Sequence, residues 1–350
     1  MPGPARQEIP PPSGAALFPL IAGYMTSQLI YVAARLGVAD HLRDGAKSSE
    51  ELAKATRSHA PSLRRLLRGL AVVGMVEEIE PGQFQLTPSG ALLGAGVPGS
   101  VRNLAMLFID ESVWRSWGDL LHSVRTGETA LEHVFGMGTF EYCARNPEFA
   151  AIFNEAMTEA TRWAASAVLA VYDFSRFRTI LDVGGGNGTL VGAILAANPG
   201  LRGIVFDLPS GVEGARCHLE AAGLGGRCEI VAGDFFVAPL PSGADAYVVK
   251  SVIHDWDDER SRAILTNCRR AMPAHGRLLL IEPVVPAKVD GSAAHRMMVM
   301  SDLNMLAVTG GRERTEAEFW ELLNSTGFRL AAVVPARAPS NFSVIEGVPA

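Results

Sequence analysis

Thr179-Ile-Leu-Asp-Val-Gly-Gly-Gly-Asn-Gly-Thr-Leu190 constrains the fold of this chain more than any other stretch. An apolar run ends at Val183, and helix-compatible residues resume near Gly188. Between them, Gly184, Gly186 and Gly188 permit a sharp turn and a close approach of backbone to ligand. A strand, a tight turn and a helix in that order are the repeating unit of a doubly wound α/β sheet. The helix start presents bare N–H groups and a positive dipole end. The spacing is GxGxG, with Thr189 where a dinucleotide fingerprint has glycine, and the turn holds no Lys or Arg. A pyrophosphate needs the other spacing, so an adenosine without phosphates fits better.

The segments that follow repeat the pattern. Strands are expected at Thr179–Val183, Gly203–Phe206, Cys228–Val231, Ala246–Val249 and Arg277–Ile281. Helical or loop stretches separate them, which implies crossovers and parallel pairing. Arg329–Val334 and Asn341–Ile345 are placed to close the sheet as an antiparallel pair. Ligands of such sheets lie outside the carboxyl ends of the strands. There the second strand ends in Asp207, an acid suited to a ribose diol, and the third in Asp234-Phe235, an acceptor and a ring suited to adenine.

The N-terminal part is helical. Residues 15–40 carry apolar side chains on more than one stripe, as a helix covered on several sides does. Ser48 and Glu51 form a capping-box pattern, and Pro61 opens a helix with Leu63, Leu66, Leu67 and Leu70 on one face. A hairpin follows, from Val76 to Leu86 around Pro81-Gly82. Helix, helix, hairpin outlines a winged helix. Arg57, Arg64, Arg65 and Arg68 raise the reading of a small-molecule-sensing DNA regulator. Glu77, Glu78 and Glu80 on the hairpin would repel phosphates, which favours packing or subunit pairing instead. Between 101 and 172 the chain is rich in Met and aromatic residues. Phe149, Phe153 and Met157 recur every fourth residue and share a helix face.

Composition excludes several classes. The net charge of −6 gives no basic surface for nucleic acid or anionic membranes. Four cysteines form no CxxC pair, so free thiols in a reducing cytosol are expected. No apolar run reaches the ~18 residues of a membrane span, and the proline-rich residues 1–14 read as a disordered tail, not a signal peptide.

Asp182-Val-Gly-Gly-Gly-Asn-Gly188, Phe206-Asp-Leu-Pro209, Gly233-Asp234, Lys250-Ser-Val-Ile-His-Asp-Trp256 and Gly310-Gly-Arg-Glu-Arg-Thr-Glu-Ala-Glu-Phe319 together carry a resemblance. The chain resembles, over about residues 15–345, the S-adenosylmethionine-dependent O-methyltransferases of the plant caffeate and flavonoid type and their bacterial antibiotic-tailoring relatives. The resemblance implies a Rossmann-like class I methyltransferase sheet in residues 101–350, with a helical substrate-binding segment at 101–172. It also implies a winged-helix-like dimerisation domain at 15–100 and a homodimer that binds neither nucleic acid nor membrane.

The chemistry it implies is specific. His254 follows the fourth strand on the cofactor edge and is the expected general base, with Glu282 and Glu313 flanking it. An alternative role for Glu313 is to cap the helix that begins near Thr315. S-adenosyl-L-methionine, leaving as S-adenosyl-L-homocysteine, is expected at Asp182, Gly184, Asp207, Asp234, Phe235 and Lys250. The acceptor, a small hydroxylated aromatic, is expected at Phe149, Phe153, Met157, Asp255, Trp256, Met298, Asn304 and Met305. No metal is expected, because Asp257, Asp258 and Glu259 read as first-turn residues of a helix and His254 is a poor ligand for Mg²⁺. A chain of this family redirected to non-methylating chemistry, with the donor still bound, is the alternative, and the intact His–Glu–Glu set argues against it.

Overall fold

The computed structural model describes residues 14–337 and 340–350. All but Gly14 of the expected N-terminal tail lies outside them. The chain divides into two compact units, Met1–Ile109 and Asp110–Ala350.

The first unit opens with α1 (Gly14–Ile21), α2 (Gly23–Leu36) and α3 (Val38–Leu42). The single helical stretch expected over 15–40 is thus cut twice. The second cut falls at Gly37, whose N–H returns to the carbonyls of Ala33 and Ala34 and ends α2. A short strand β1 (Lys47–Ser48) leads into α4 (Ser49–Thr56), which carries the expected capping box between Ser48 and Glu51. Next come α5 (Ala60–Val72), β2 (Val76–Glu80), β3 (Gln83–Leu86), α6 (Pro88–Ala91) and α7 (Arg102–Leu107). Leu63, Leu67 and Leu70 of α5 are buried with Leu42, Leu52 and Phe84, so the α5 leucine stripe forms this unit's core. The sheet order is β1-β3-β2. Pairing of β1 with β3 completes a three-stranded wing that the hairpin alone does not reveal. Arg102 of α7 pairs with Asp40 of α3 at 2.8 Å. α7 thus belongs to the first unit, which runs to Ile109. Leu17, Phe18, Leu20, Ile21, Tyr24 and Met25 of α1 and α2 are exposed.

The second unit begins with α8 (Glu111–Gly118), α9 (Leu120–Thr126), α10 (Ala130–Phe135), α11 (Thr139–Arg145) and the long α12 (Pro147–Leu169). The α/β part then runs β4 (Thr179–Val183), α13 (Thr189–Ala197), β5 (Arg202–Asp207), α14 (Ala215–Ala221), β6 (Cys228–Ala232) and β7 (Ala246–Lys250). It continues through α15 (Asp258–Ala271), β8 (Arg277–Pro283), α16 (Ala293–Val308), α17 (Glu316–Asn324), β9 (Phe328–Pro335) and β10 (Phe342–Pro349). The seven strands lie in the order β6-β5-β4-β7-β8-β10-β9. β10 alone runs antiparallel to its neighbours, β8 and β9.

Strand parity sorts the side chains onto two faces. Leu181, Val183, Tyr247, Val249, Leu278 and Leu280 pack in one core cluster, and Ile180, Ala246, Val248, Leu279 and Ile281 in the other. With both faces covered, the strands read as continuous apolar runs. Register brings Asp182 beside Val205, and Lys250 beside Ile281. The carboxyl ends of β4, β5, β7 and β8 therefore align, and Asp182, Asp207, Lys250 and Glu282 share one edge. The strand order reverses between β4 and β7, which is where such sheets bind ligands.

Candidate active site

The turn after β4 is bound tightly to its neighbours. Gly184 has φ +72°, and a Cβ there would come within 2.7 Å of Val252. The N–H groups of Gly184 and Gly185 both donate to the Phe206 carbonyl. Asp207 accepts from the Gly186 N–H at 2.8 Å and from the Leu208 N–H at 2.6 Å, so it shapes the turn as well as facing it. Asn187 accepts from Thr189 at the head of α13 and donates to Thr158 of α12 at 2.9 Å. Asp182 is 2% exposed, and its Oδ2 has no hydrogen-bond partner. Burial, then the nearby Asp207, pushes its carboxyl up to about 7, against the pull of Lys250.

The other residues expected around a donor also border this edge. The Asp234 carboxylate accepts from the Phe236 N–H at 2.8 Å. The Phe235 ring lies 3.9 Å from the position of a Gly184 Cβ. Lys250 Nζ donates to Thr161 of α12 at 3.0 Å. Burial lowers its proton affinity, while Glu282, Asp182 and Asp255 act to restore it.

His254 stands on a 3-10 turn, Ile253–Asp255, directly after β7. Its Nδ1 is 3.0 Å from Glu313 Oε1 and 3.5 Å from Glu282 Oε2. A carboxylate only accepts, so Nδ1 carries the proton and Nε2 is the site that titrates. Nε2 looks toward Asp255, 3.9 Å away. Burial disfavours the charged ring, but Glu282, Glu313 and Asp255 outweigh it and raise the imidazole to about 10. Burial in turn pushes Glu282 up to about 7 and Asp255 up to about 6.

The turn that carries Glu313 is held against the turn that carries His254. The Arg312 N–H donates to the His254 carbonyl at 2.9 Å. Gly311 lies so close that a Cβ would overlap that carbonyl oxygen. Arg314 is 1% exposed, and its guanidinium donates to the carbonyls of Ile253 and Trp256, to Ser261 and to Asp258. Ser301 of α16 donates to Glu313 Oε1 at 2.6 Å, and Asp302 accepts from the Glu313 N–H at 2.9 Å. The capping role weighed for Glu313 belongs to Thr315, which forms a capping box with Glu318. Asp258 and Glu259 lie in the first turn of α15 as expected, while Asp257, expected there too, is its N-cap and accepts from the Arg260 N–H.

His254, Glu282 and Glu313 could present ligand atoms within 4.8 Å of one another. One oxygen of each acid is already engaged, and the other has no hydrogen-bond partner. Glu282 Oε1 accepts from the N–H groups of Val252 and Ile253, and Glu313 Oε1 from Ser301. The set is built around the imidazole. Ser301, Asp302, Arg314 and Thr161 were not singled out in the sequence; Arg314 alone had a signal, inside the Gly310–Phe319 motif.

Around the site, Trp256 stacks on Phe140 with ring centroids 5.0 Å apart and meets Phe236 edge-on at 4.9 Å. Phe149 is buried against Tyr142 and 6.2 Å from Phe153. Phe153 and Met157 are half-buried on α12, and Met298 and Asn304 half-buried on α16, while Met305 is buried. Asn304 accepts from Trp117 Nε1 at 2.9 Å.

A family model of an O-methyltransferase domain matches residues 117–329, and a model of an O-methyltransferase dimerisation domain matches residues 18–95. The chain is 45% identical over 338 residues to phenazine O-methyltransferase PhzM of Lysobacter antibioticus, covering 97% of each. It is 42% identical to O-demethylpuromycin-O-methyltransferase of Streptomyces alboniger, covering 94% of this chain and 88% of that one. A solved structure of the O-methyltransferase NcsB1 from neocarzinostatin biosynthesis, in complex with S-adenosylmethionine and 2-hydroxy-5-methyl naphthoic acid, matches with a TM-score of 0.78. Identity there is 35%, over 93% of this chain and 96% of that one.

Proposed function

The chain belongs to the S-adenosylmethionine-dependent O-methyltransferases, and on that premise we propose that His254 is the general base that takes the proton from the acceptor hydroxyl. The observation that carries this is the bond from His254 Nδ1 to Glu313. It commits one ring nitrogen to an acid and leaves Nε2 as the basic atom.

S-adenosyl-L-methionine is the methyl donor, and the residues present fit a cation. Asp182, Glu282 and Glu313 each keep one buried oxygen without a hydrogen-bond partner. When bound, the sulfonium supplies the transferable methyl and a positive charge that lowers the proton affinity of the nearby imidazole. Asp182 and Gly184 would hold the methionine part, Asp207 the ribose, and Asp234 and Phe235 the adenine. Lys250 would line the same edge.

The acceptor is a hydroxyl, phenolic in this reading, on a flat small molecule of secondary metabolism. A phenol with a pKa of ~10 keeps its proton at neutral pH, which makes a positioned base worth about 10²–10⁴-fold in rate. His254 would take that proton on Nε2, and Glu313 and Glu282 would stabilise the resulting imidazolium. Phe149, Phe153, Met157, Asp255, Trp256, Met298, Asn304 and Met305 would form the acceptor wall, since rings and thioethers suit a flat aromatic. The dimerisation domain would pair two copies through the exposed apolar residues of α1 and α2.

The test is a panel of hydroxylated bicyclic and tricyclic aromatics with methyl-labelled donor. Label transfer and a mass gain of one methyl are expected with the parent chain. His254→Ala should retain donor binding and lose turnover; unchanged turnover at pH 7 would remove the base assignment.

A further inference from the structure

Asp119, His122 and His133 form a second cluster of titratable side chains, separate from the one around His254. Asp119 joins α8 to α9, His122 lies on α9 and His133 on α10. The three could present ligand atoms within 4.8 Å of one another. His133 Nδ1 is 2.7 Å from Asp119 Oδ2. The two imidazoles stack in parallel, with ring centroids 3.8 Å apart. Glu128, on the loop between α9 and α10, brings Oε2 to 3.3 Å from His122 Nε2. Two imidazoles and two carboxylates thus converge.

The arrangement leaves a lone pair in need of a partner. Two imidazolium rings stacked this closely repel, so at least one ring is neutral and keeps a basic nitrogen. His133 has its Nδ1 committed to Asp119. His122 Nε2 is buried and has no hydrogen-bond partner, because Glu128 lies near it without the geometry of a bond. Among the described residues, no backbone N–H and no further side chain donates to the carboxylates of Asp119 and Glu128. Glu282 and Glu313 differ in this respect, since each spends an oxygen on donors other than the histidine.

We propose that Asp119, His122, Glu128 and His133 bind a divalent transition-metal ion, Zn²⁺ by preference. Imidazole nitrogens disfavour Mg²⁺ and Ca²⁺, and two nitrogen with two carboxylate donors suit a four-coordinate Zn²⁺. Two neutral rings and two carboxylates also balance the charge of the ion. Asp119 and His133 border a surface cleft of about 480 Å³ with Trp114, Arg115, Gly118 and Val134, which gives the ion a way in. Arg115, the cation of that cleft, is paired with Glu111 at 3.3 Å. The ion would tie α9 to α10 and close the loop that carries Thr129. Thr129 packs on Gly310, where a Cβ would come within 3.0 Å of the threonine methyl, and Gly310 opens the turn that carries Glu313. The ion is thus a staple on the helical segment behind that turn and takes no part in methyl transfer.

The experiment is calorimetry of the full chain, stripped with EDTA, dialysed and titrated with ZnCl₂ at pH 7. A saturable site that excess Mg²⁺ does not displace is expected, and saturating Zn²⁺ should raise the melting temperature. CoCl₂ in its place should give the intense visible bands of four-coordinate Co²⁺. His122→Ala combined with His133→Ala should weaken binding about 100-fold or more and remove both the melting shift and the bands. Glu128→Gln, at a side chain 76% exposed, should weaken binding about tenfold without touching the fold. His254→Ala should bind Zn²⁺ as the parent does, which separates this site from the acid–base cluster. No saturable binding by the parent, parental affinity in the double histidine variant or in Glu128→Gln, or binding lost with His254→Ala would each overturn the proposal.

Discussion

Glu282 Oε2 lies 3.5 Å from His254 Nδ1, yet the ring is hydrogen-bonded to Glu313 at 3.0 Å. The two acids are not equivalent. Glu282 sits at the end of a sheet strand and spends Oε1 on two backbone N–H groups of the turn that carries the histidine. It anchors the turn and contributes charge. Glu313 is the acceptor that fixes the tautomer.

That division separates the two substitutions. Glu313→Gln should lower kcat about tenfold or more, with little change in the KM for donor, because the amide keeps the shape but not the charge. Glu282→Ala should in addition lower stability, since the buried N–H groups of Val252 and Ile253 then lose the oxygen that accepts from both. Steady-state kinetics and thermal melts on both variants distinguish the roles; equal effects on stability would contradict the assignment.

In the donor-free chain the His254 imidazole should titrate far above its ordinary 6.5, near 10. NMR titration of the labelled ring reads this directly, and Glu313→Gln should move the midpoint down. The sign for stability follows from linkage. The folded state holds this proton more tightly than the unfolded state. The stabilisation is full below pH 6.5 and is lost as pH rises toward 10, so the unfolding free energy should fall across that interval, and less so in the variant.

Ser301→Ala removes one of the two donors on Glu313 Oε1. The carboxylate then holds the imidazolium more strongly, and the acid limb of the kcat–pH profile should move to higher pH. Ser301→Thr should restore the parent profile. A profile that superimposes on the parent after Ser301→Ala would show that the hydroxyl does not act on the base.

Arg314→Met should destabilise the second unit by roughly 3 kcal/mol, because buried carbonyls of Ile253 and Trp256 lose their donor. Chemical denaturation measures the loss. Activity should fall further than stability accounts for, since the same carbonyls belong to the turn that aims His254.

Phe18→Asp together with Ile21→Asp should turn a dimer into a monomer at micromolar concentration, as read by sedimentation velocity. A parent that sediments as a monomer would contradict the pairing proposed for α1 and α2.

Most of the sheet was legible in the sequence, because buried parallel strands are short apolar runs bounded by turns, and β4 was expected at the residues where it lies. The strand-end acids were legible for the same reason: a charged residue closing an apolar run has nowhere to go but the edge. β1 was not legible, since Lys47–Ser48 becomes a strand only by pairing with β3. The cuts in the first helical stretch were missed because apolar side chains continue through Ala22 and Gly37. Ser301 and Asp302 were missed because nothing local distinguishes a helix serine or aspartate that reaches a carboxylate or amide on another segment. Their role exists only in the packing of α16.

α16 holds Glu313 through Ser301 and Asp302 and, two residues on, presents Asn304. With His254 as the proposed base and α16 on the proposed acceptor wall, one rigid element would govern both how fast the proton leaves and which molecule loses it. A lineage adapting to a new acceptor can exchange side chains along α16 cheaply, but it cannot tilt the helix to widen the pocket without detuning the base. On that reading, diversification would be channelled toward substitutions at a fixed helix axis and toward α11 and α12, which carry Phe140, Phe149 and Phe153 and, among the described residues, make no hydrogen bond to Glu313.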